Sequence, residues 1–248
     1  MIAFVLLVAA GIGAGIVGTV AGLASLVSYP ALLAFGLPPL AANVSNTTAM
    51  TAVGVGSFVG ARDELRGHGR RVAVLGAVAG VGAALGAVLL LAAPASTFEA
   101  VVPWLVALGA VLLLFRDTVR RWAERRRRGE GRGDRRTFGV ALTGAGVYSG
   151  YFGAGAGIIV LALLSLRYSD SFHVSNAMKT LVTGVGNLVA TALYVVVAPV
   201  SWAAVVPISL GMLVGGVAGP RIARRLPERG LRVVIGLMGL GLAVWLAR

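Results

Sequence analysis

Residues 72–93 read VAVLGAVAGVGAALGAVLLLAA, a run of 22 positions without a charged side chain. A helix of that length rises about 33 Å at 1.5 Å per residue, enough to cross the ~30 Å hydrocarbon core of a bilayer. The run is continuous and does not alternate between polar and apolar residues, which favours a membrane-spanning helix over a barrel strand. These residues therefore predict a helical membrane protein.

Further apolar runs extend this prediction along the whole chain. They fall at about 2–36, 44–61, 100–115, 137–166, 174–198, 203–219 and 233–247. The composition agrees, with 58% hydrophobic residues, 12% charged residues and a mean hydropathy of +0.90. The apolar opening lacks a basic region and continues past the length of a signal peptide, so we interpret it as the first membrane segment. The predicted fold class is an all-α, polytopic helical membrane protein.

Positive charge is concentrated in three short stretches. Of the 22 basic residues, ten lie in 116–136, four in 62–71 and five in 221–232. Short basic loops beside membrane helices predict the cytoplasmic side of an inner (plasma) membrane, where they contact anionic lipid headgroups. Although the net charge is +13, no aromatic-rich module accompanies the arginines, so nucleic-acid binding is not expected.

The placement of these basic stretches predicts two inverted repeats. If the run 137–166 enters the membrane and returns, all three basic stretches face the cytoplasm, whereas a single crossing places five arginines outside. The first arrangement gives repeats at 1–115 and 137–248, joined by an Arg-rich cytoplasmic linker at 116–136. Each repeat is predicted to hold a glycine-broken hairpin followed by three membrane helices. A single crossing remains the alternative.

Glycine-rich stretches mark the expected breaks in the two hairpins. Each hairpin has about 30–35 residues, so each leg reaches only ~23–26 Å and the break lies in or near the membrane. Glycine allows positive φ and close backbone approach there. The predicted break residues are Gly22 and Ser25 in the first repeat and Gly153, Gly155 and Gly157 in the second.

A polar motif occurs in both halves, at Val44–Thr47 and at Val174–Asn176, each ahead of a Gly-Val-Gly sequence. We expect each motif to open a helix, where Ser and Asn are common caps. The free N–H groups and dipole of a helix N-terminus also favour an anion, so capping and anion binding are both compatible with the motif.

Lys179 is the only lysine of the chain and lies inside an apolar run. Helical spacing places it on one face with Asn176, Thr183 and Asn187, which predicts a polar path. Alternatively, a lysine about 8 Å into its helix reaches the interface by snorkelling. The predicted substrate-binding residues are Asn43, Ser45, Asn46, Thr47, Ser175, Asn176, Lys179 and Asn187.

Enzyme chemistry has little support in the sequence. The two histidines lack a triad or metal-ligand spacing, and cysteine is absent, so no catalytic residue, metal or cofactor is predicted. A G-x-G-x-x-G match at 13–18 follows no strand, and we attribute it to small-residue helix packing. All nine carboxylates lie outside the apolar cores, which favours an anionic over a cationic solute.

The chain resembles the TauE/SafE family of bacterial membrane transporters over nearly its whole length. The resemblance rests on Asn43–Thr47, Gly60–Arg62, Gly146–Gly157, Asn176–Lys179 and Gly215–Pro227. It implies a carrier for sulfite, sulfonates or related sulfur oxyanions. With the lone lysine of the apolar run and the predicted repeats, this predicts a secondary transporter of a small anion that works by alternating access. The alternatives are an anion channel and a non-transporting membrane scaffold; the sequence leaves the oligomeric state open.

Overall fold

The computed structural model describes residues 2–130, 134–223 and 228–247, nearly all of them helical. The first half contains α1 (Ile2–Ala21), α2 (Ser25–Ala34), α3 (Pro39–Gly60), α4 (Gly69–Ala92) and α5 (Ala95–Leu114). After α6 (Arg116–Glu130), the second half contains α7 (Arg135–Tyr151), α8 (Ala156–Arg167), α9 (Phe172–Val197), α10 (Trp202–Ala223) and α11 (Glu228–Leu246). The predicted polytopic helical membrane protein is confirmed. Residues 131–133 of the Arg-rich stretch and 224–227 of the third basic stretch lie outside the described residues.

Length and hydropathy together separate the candidate spanning helices from the others. Among the described residues, α1, α4, α5, α9 and α10 are long and apolar enough to cross a membrane. By contrast, α2 has 10 residues and α8 has 12, so they rise only about 15 and 18 Å. Each is too short to cross the bilayer and packs against the helix before it, α2 on α1 and α8 on α7.

Small residues allow the helices of the two halves to pack closely. A Cβ placed on Gly15 of α1 would lie 2.6 Å from the backbone oxygen of Met212 in α10. Gly146 of α7 is equally close to the backbone of α4, where it meets Ala79 and Gly82. Such backbone contact is a common way to hold membrane helices together, because lipid gives apolar side chains little reason to associate.

The helix contacts follow a reciprocal pattern. α1 packs on α10 and α7 packs on α4; α3 also packs on α10 and α9 on α4. The remaining large contacts join α3 to α9 and α5 to α11. Replacing each of α1–α5 by its counterpart in α7–α11 reproduces these six large contacts.

Residues 116–130 of the Arg-rich stretch form helix α6 rather than a loop, and Arg135 and Arg136 already belong to α7. Helix α6 packs against α8, with Ala123 buried and Arg116 only 3% exposed. Arg120 pairs with Glu124 one turn later, at 2.8 Å, and its guanidinium lies 4.5 Å from the ring centroid of Phe172. These contacts connect α6 to the start of α9.

The predicted starts of α3 and α9 are wrong. α3 begins at Pro39, so Asn43–Thr47 lie inside the helix. α9 begins at Phe172, so Ser175 and Asn176 lie inside as well. In α3 the proline is well suited to the first helical position because its φ is already helical. In α9 the Ser171 hydroxyl accepts a hydrogen bond from Val174 N at 3.3 Å and caps the helix three residues ahead of the motif.

Candidate functional site

The two hairpin breaks meet inside the bundle. The chain leaves helix at Gly22, with φ +80°, and at Gly153 and Gly155, with φ +84° and +88°. A side chain is strained at such angles, which explains glycine at these three positions. A Cβ on Gly157 would lie 2.9 Å from Gly22 O, so the hairpin backbones are in direct contact. Ser25 and Gly157, also predicted in the breaks, lie instead in the first turns of α2 and α8.

Lys179 reaches this junction from α9. Its side chain is only 1% exposed and does not snorkel to the interface. Its Nζ donates to Asn176 Oδ1 at 3.0 Å and to Gly18 O at 3.4 Å, and it lies 3.2 Å from where a Cβ on Gly22 would be. The ammonium therefore lies at the C-terminus of α1, where the helix dipole and the last carbonyls favour a cation.

Asn176 strengthens the same contact. Its Nδ2 donates to Thr19 O at 2.7 Å while its Oδ1 accepts from Lys179. Two side chains one turn apart on α9 thus bind two consecutive carbonyls, those of Gly18 and Thr19, in the last turn of α1. We call this set of contacts the α1 clasp.

A small central cavity adjoins the ammonium. Its volume is about 30 Å³, and its lining joins both breaks to α3 and α9 through Gly22, Gly157, Gly54, Lys179, Thr183 and Asn187. A space of that size holds about one or two water molecules. The polar lining consists of hydroxyl, amide, ammonium and backbone groups, and no carboxylate is among the lining residues. Such donors suit an anion better than a metal ion.

A second cavity lies on the other side of Asn176. It has a volume of about 200 Å³ and is lined by residues that include Glu64, His173 and Ser57 together with Asn176. Thr19 contributes to the same wall. We call this second cavity the vestibule. Asn176 and Thr19 line the vestibule, whereas Lys179 and Gly18 line the central cavity, so the α1 clasp lies between the two spaces.

The polar residues of α3 hold other parts of the bundle. Asn46 Nδ2 donates to Ser25 Oγ at 3.2 Å, and Asn46 Oδ1 accepts from the Ser28 hydroxyl. Asn43 Nδ2 donates to Tyr151 O at 3.0 Å, at the last residue of α7; we call this contact the α7 clasp. All are buried, and none lines the central cavity.

Three further predicted residues also lie away from the central cavity. Ser45 Oγ accepts from Ser201 N at 2.9 Å. Thr47 and Ser175 are buried, at 2% and 4% exposure, and line neither cavity. Of the eight predicted binding residues, the structure brings Asn176, Lys179 and Asn187 together around the junction.

Sequence reasoning missed several lining residues. Ser149 of α7, Met50 of α3 and Thr180 of α9 line the central cavity. A Cβ on Gly54 would lie 3.2 Å from Gly184 Cα, so the two Gly-Val-Gly motifs cross at this point. The 130-residue spacing that links the polar motifs also links these two glycines, and that spacing is the signal that points to them.

These observations define a polytopic helical membrane protein whose two halves surround a small cavity, lined in part by polar groups, beside a buried ammonium. The model for the family described as "Sulfite exporter TauE/SafE" matches residues 7–246. The chain belongs to this family of membrane transporters, which confirms the resemblance predicted from the sequence. No curated protein and no solved structure matched the chain.

Proposed function

We propose that this protein is a secondary transporter of a small oxyanion, such as sulfite or an organosulfonate, that works by alternating access. The single observation that carries the proposal is the buried Lys179 ammonium at the junction of the two broken hairpins. A charge in a membrane bundle is costly to keep, and such residues commonly mark a solute path. An ammonium beside hydroxyl and amide donors can bind a sulfonate or sulfite oxygen by charge-assisted hydrogen bonds.

The N-terminus of α8 adds a second attractive element for an anion. Ala156 and Gly157 open α8 and line the central cavity together with Lys179. The first N–H groups of a helix and its dipole favour negative charge. The ~30 Å³ cavity is too small for a multi-atom oxyanion, so binding requires the hairpins to separate. The proposed bound state is therefore more open at Gly22 and Gly157.

The reciprocal helix contacts support two repeats, at 1–115 and 137–248, joined by 116–136. Each repeat also clasps the first hairpin leg of the other, through Asn43 to α7 and through Asn176 and Lys179 to α1. In alternating access, one half rocks against the other around the fixed site. The α1 clasp, which lies between the vestibule and the central cavity, is the proposed gate on the vestibule side.

The protein is proposed to lie in the inner (plasma) membrane with one end of the bundle, which carries the basic stretches and which we call the basic end, facing the cytoplasm. Arg71 binds Asp170 at 2.6 Å, and Arg120 stacks on Phe172, so two basic stretches lie at the same end as the α8–α9 connection. Positively charged loops favour the cytoplasmic side. A hairpin α7–α8 that starts and ends at this face also fits the proposed inverted repeat.

The chain has no cysteine, so single cysteines test this orientation directly. Ser96 and Ser169 are both exposed, at opposite predicted faces, and Ser→Cys is a small change. A membrane-impermeant maleimide added to spheroplasts should label Ser96→Cys at once and Ser169→Cys only after permeabilisation. The reverse order, or labelling of both before permeabilisation, would contradict the orientation.

A solute panel in proteoliposomes tests the transport proposal. The panel contains sulfite, thiosulfate, sulfoacetate, taurine and chloride, each measured with and without a pH gradient. A carrier should show saturable flux of one or more oxyanions and competition between them. Flux that rises linearly without saturation would favour the channel alternative. An absence of flux for every solute, in vesicles with correctly folded protein, would favour the scaffold.

A further inference from the structure

A groove separate from the central cavity lies between α4 and α7 at the basic end of the bundle. Its outer part, of about 430 Å³, is lined by Arg70, Arg71 and Arg135. Its inner part, of about 290 Å³, is lined by Arg135 and Arg167. The two parts share the lining residues Val74, Leu75, Arg135 and Tyr168, so they lie next to each other and form one groove. We call it the basic groove.

The floor of the basic groove is apolar and aromatic. Val74 and Val78 of α4 face Phe138 of α7 across it. The rings of Phe138 and Tyr168 meet edge to face at 6.0 Å, and the Arg71 guanidinium lies 4.4 Å from the Tyr168 centroid. Val74 is 51% exposed, so this surface continues onto the outer face of the bundle.

Positive charge at the mouth of the groove exceeds the nearby negative charge. Asp170 accepts an ion pair from Arg71 at 2.6 Å and lies 3.7 Å from His68. Asp134 caps α7 by accepting hydrogen bonds from the backbone of its first turn. Of the three arginines that line the outer part of the groove, Arg71 pairs with Asp170, whereas Arg70 and Arg135 make no ion pair within the described residues, so positive charge remains there.

This combination restricts the ligand. Inorganic phosphate could use the arginines but not the apolar floor, and a neutral lipid could use the floor but not the arginine excess. Basic pockets between membrane helices on the cytoplasmic side are suited to anionic lipid headgroups. We propose that the basic groove binds an anionic glycerophospholipid, with its phosphate at Arg70 and Arg135 and an acyl chain along Val74, Val78 and Phe138. This proposal rests on the membrane location of the chain and not on its transport activity.

Lipid binding to the purified full-length protein tests the proposal, with native mass spectrometry as the readout. The probes are phosphatidylglycerol, phosphatidylcholine and soluble glycerol 1-phosphate. The groove variant is Arg70→Gln/Arg135→Gln; both side chains are exposed, so folding should be retained. The matched control is Arg62→Gln/Arg66→Gln, which removes the same charge from exposed positions outside the groove.

Phosphatidylglycerol should bind the wild type more tightly than the other two probes. The groove variant should lose about fivefold in affinity for each arginine, roughly 25-fold in total. The control should lose much less, and Arg70→Lys/Arg135→Lys should retain most of the affinity. Should Val78→Ser leave the affinity for phosphatidylglycerol unchanged, the acyl chain is misplaced and the proposal fails.

Three other outcomes would also overturn it. Equal losses in the groove and control variants would indicate general surface attraction. Equal affinity for glycerol 1-phosphate would indicate a phosphate site without a lipid tail. Equal affinity for phosphatidylcholine would show that the arginines do not select the headgroup.

Discussion

Replacement of Lys179 by methionine tests the proposed site most directly. Methionine is unbranched and similar in length, so Lys179→Met removes the ammonium with little change in volume. An ionic hydrogen bond contributes about 1.5–3 kcal/mol, and the lost attraction for a bound oxyanion is expected in this range. At 1.4 kcal/mol per tenfold, affinity should fall roughly 10- to 150-fold.

The cost to folding should be smaller than the cost to binding. Gly18 O loses the Lys179 ammonium but still accepts from Gly22 N at 2.9 Å. Asn176 Oδ1 loses its 3.0 Å contact with the ammonium, while its Nδ2 keeps Thr19 O. One weakened acceptor costs about 1–3 kcal/mol, offset by removal of a buried charge. We therefore expect a folded variant with a modest change in unfolding temperature.

The assay is the initial rate of radiolabelled sulfite uptake into proteoliposomes, measured against sulfite concentration. Lys179→Met should raise KM by the factor given above, whereas the exposed Arg62→Met should leave it unchanged. Lys179→Arg keeps the charge, but the ~30 Å³ cavity has little room for a guanidinium, so transport should also fall. If Lys179→Met transports sulfite with wild-type kinetics, the lysine acts only as a clasp for α1 and the binding site is elsewhere.

Two further substitutions separate packing from binding. Gly157→Ala places a methyl group 2.9 Å from Gly22 O, and the overpacking should cost about 1–3 kcal/mol of stability. Both the unfolding temperature and the transport rate should therefore fall. The control Gly144→Ala should change neither, because nothing lies within 4 Å of the added methyl group. Asn46→Ala removes buried hydrogen bonds with Ser28 and Ser25 and should reduce stability by about 1–3 kcal/mol. The KM for sulfite should not change, because Asn46 lies outside the central cavity. A raised KM with normal stability would contradict this expectation.

Much of the fold followed from the sequence because membrane physics restricts it strongly. A run such as 72–93 has few alternatives to a helix once water is absent. The breaks could be located from glycine, since Gly22 and Gly153 adopt positive φ angles that other residues rarely adopt. The helical form of 116–130 was missed because its arginines appeared only as a basic linker. Its packing against α8 depends on tertiary contacts that local composition does not encode.

The site was only partly predictable for a different reason. Lys179 stood out because a lone charge in an apolar run requires explanation. The duplicated Ser-Asn motif suggested equal roles in both halves, yet Asn176 lies at the junction and Asn46 binds serines of α2. A sequence repeat places equivalent residues at equivalent positions on their helices. The partner of each side chain, however, depends on which residues of the neighbouring helices lie beside it. That partner could not be obtained from the motif alone.

The difference between the two clasps gives a physical reason for the single charge. Asn43 holds the end of α7 with one neutral amide, whereas α9 holds the end of α1 with an amide and an ammonium. The residue aligned with Lys179 is Ala49, which is fully buried; a second ammonium there would add like-charge repulsion within the same bundle. At the proposed site, a bound oxyanion would compete with Gly18 O for the Lys179 ammonium and so weaken the α1 clasp, whereas the α7 clasp has no charge that could attract it. Under the proposed mechanism, solute binding therefore loosens the α1 clasp, which is the proposed gate, and leaves the α7 clasp in place.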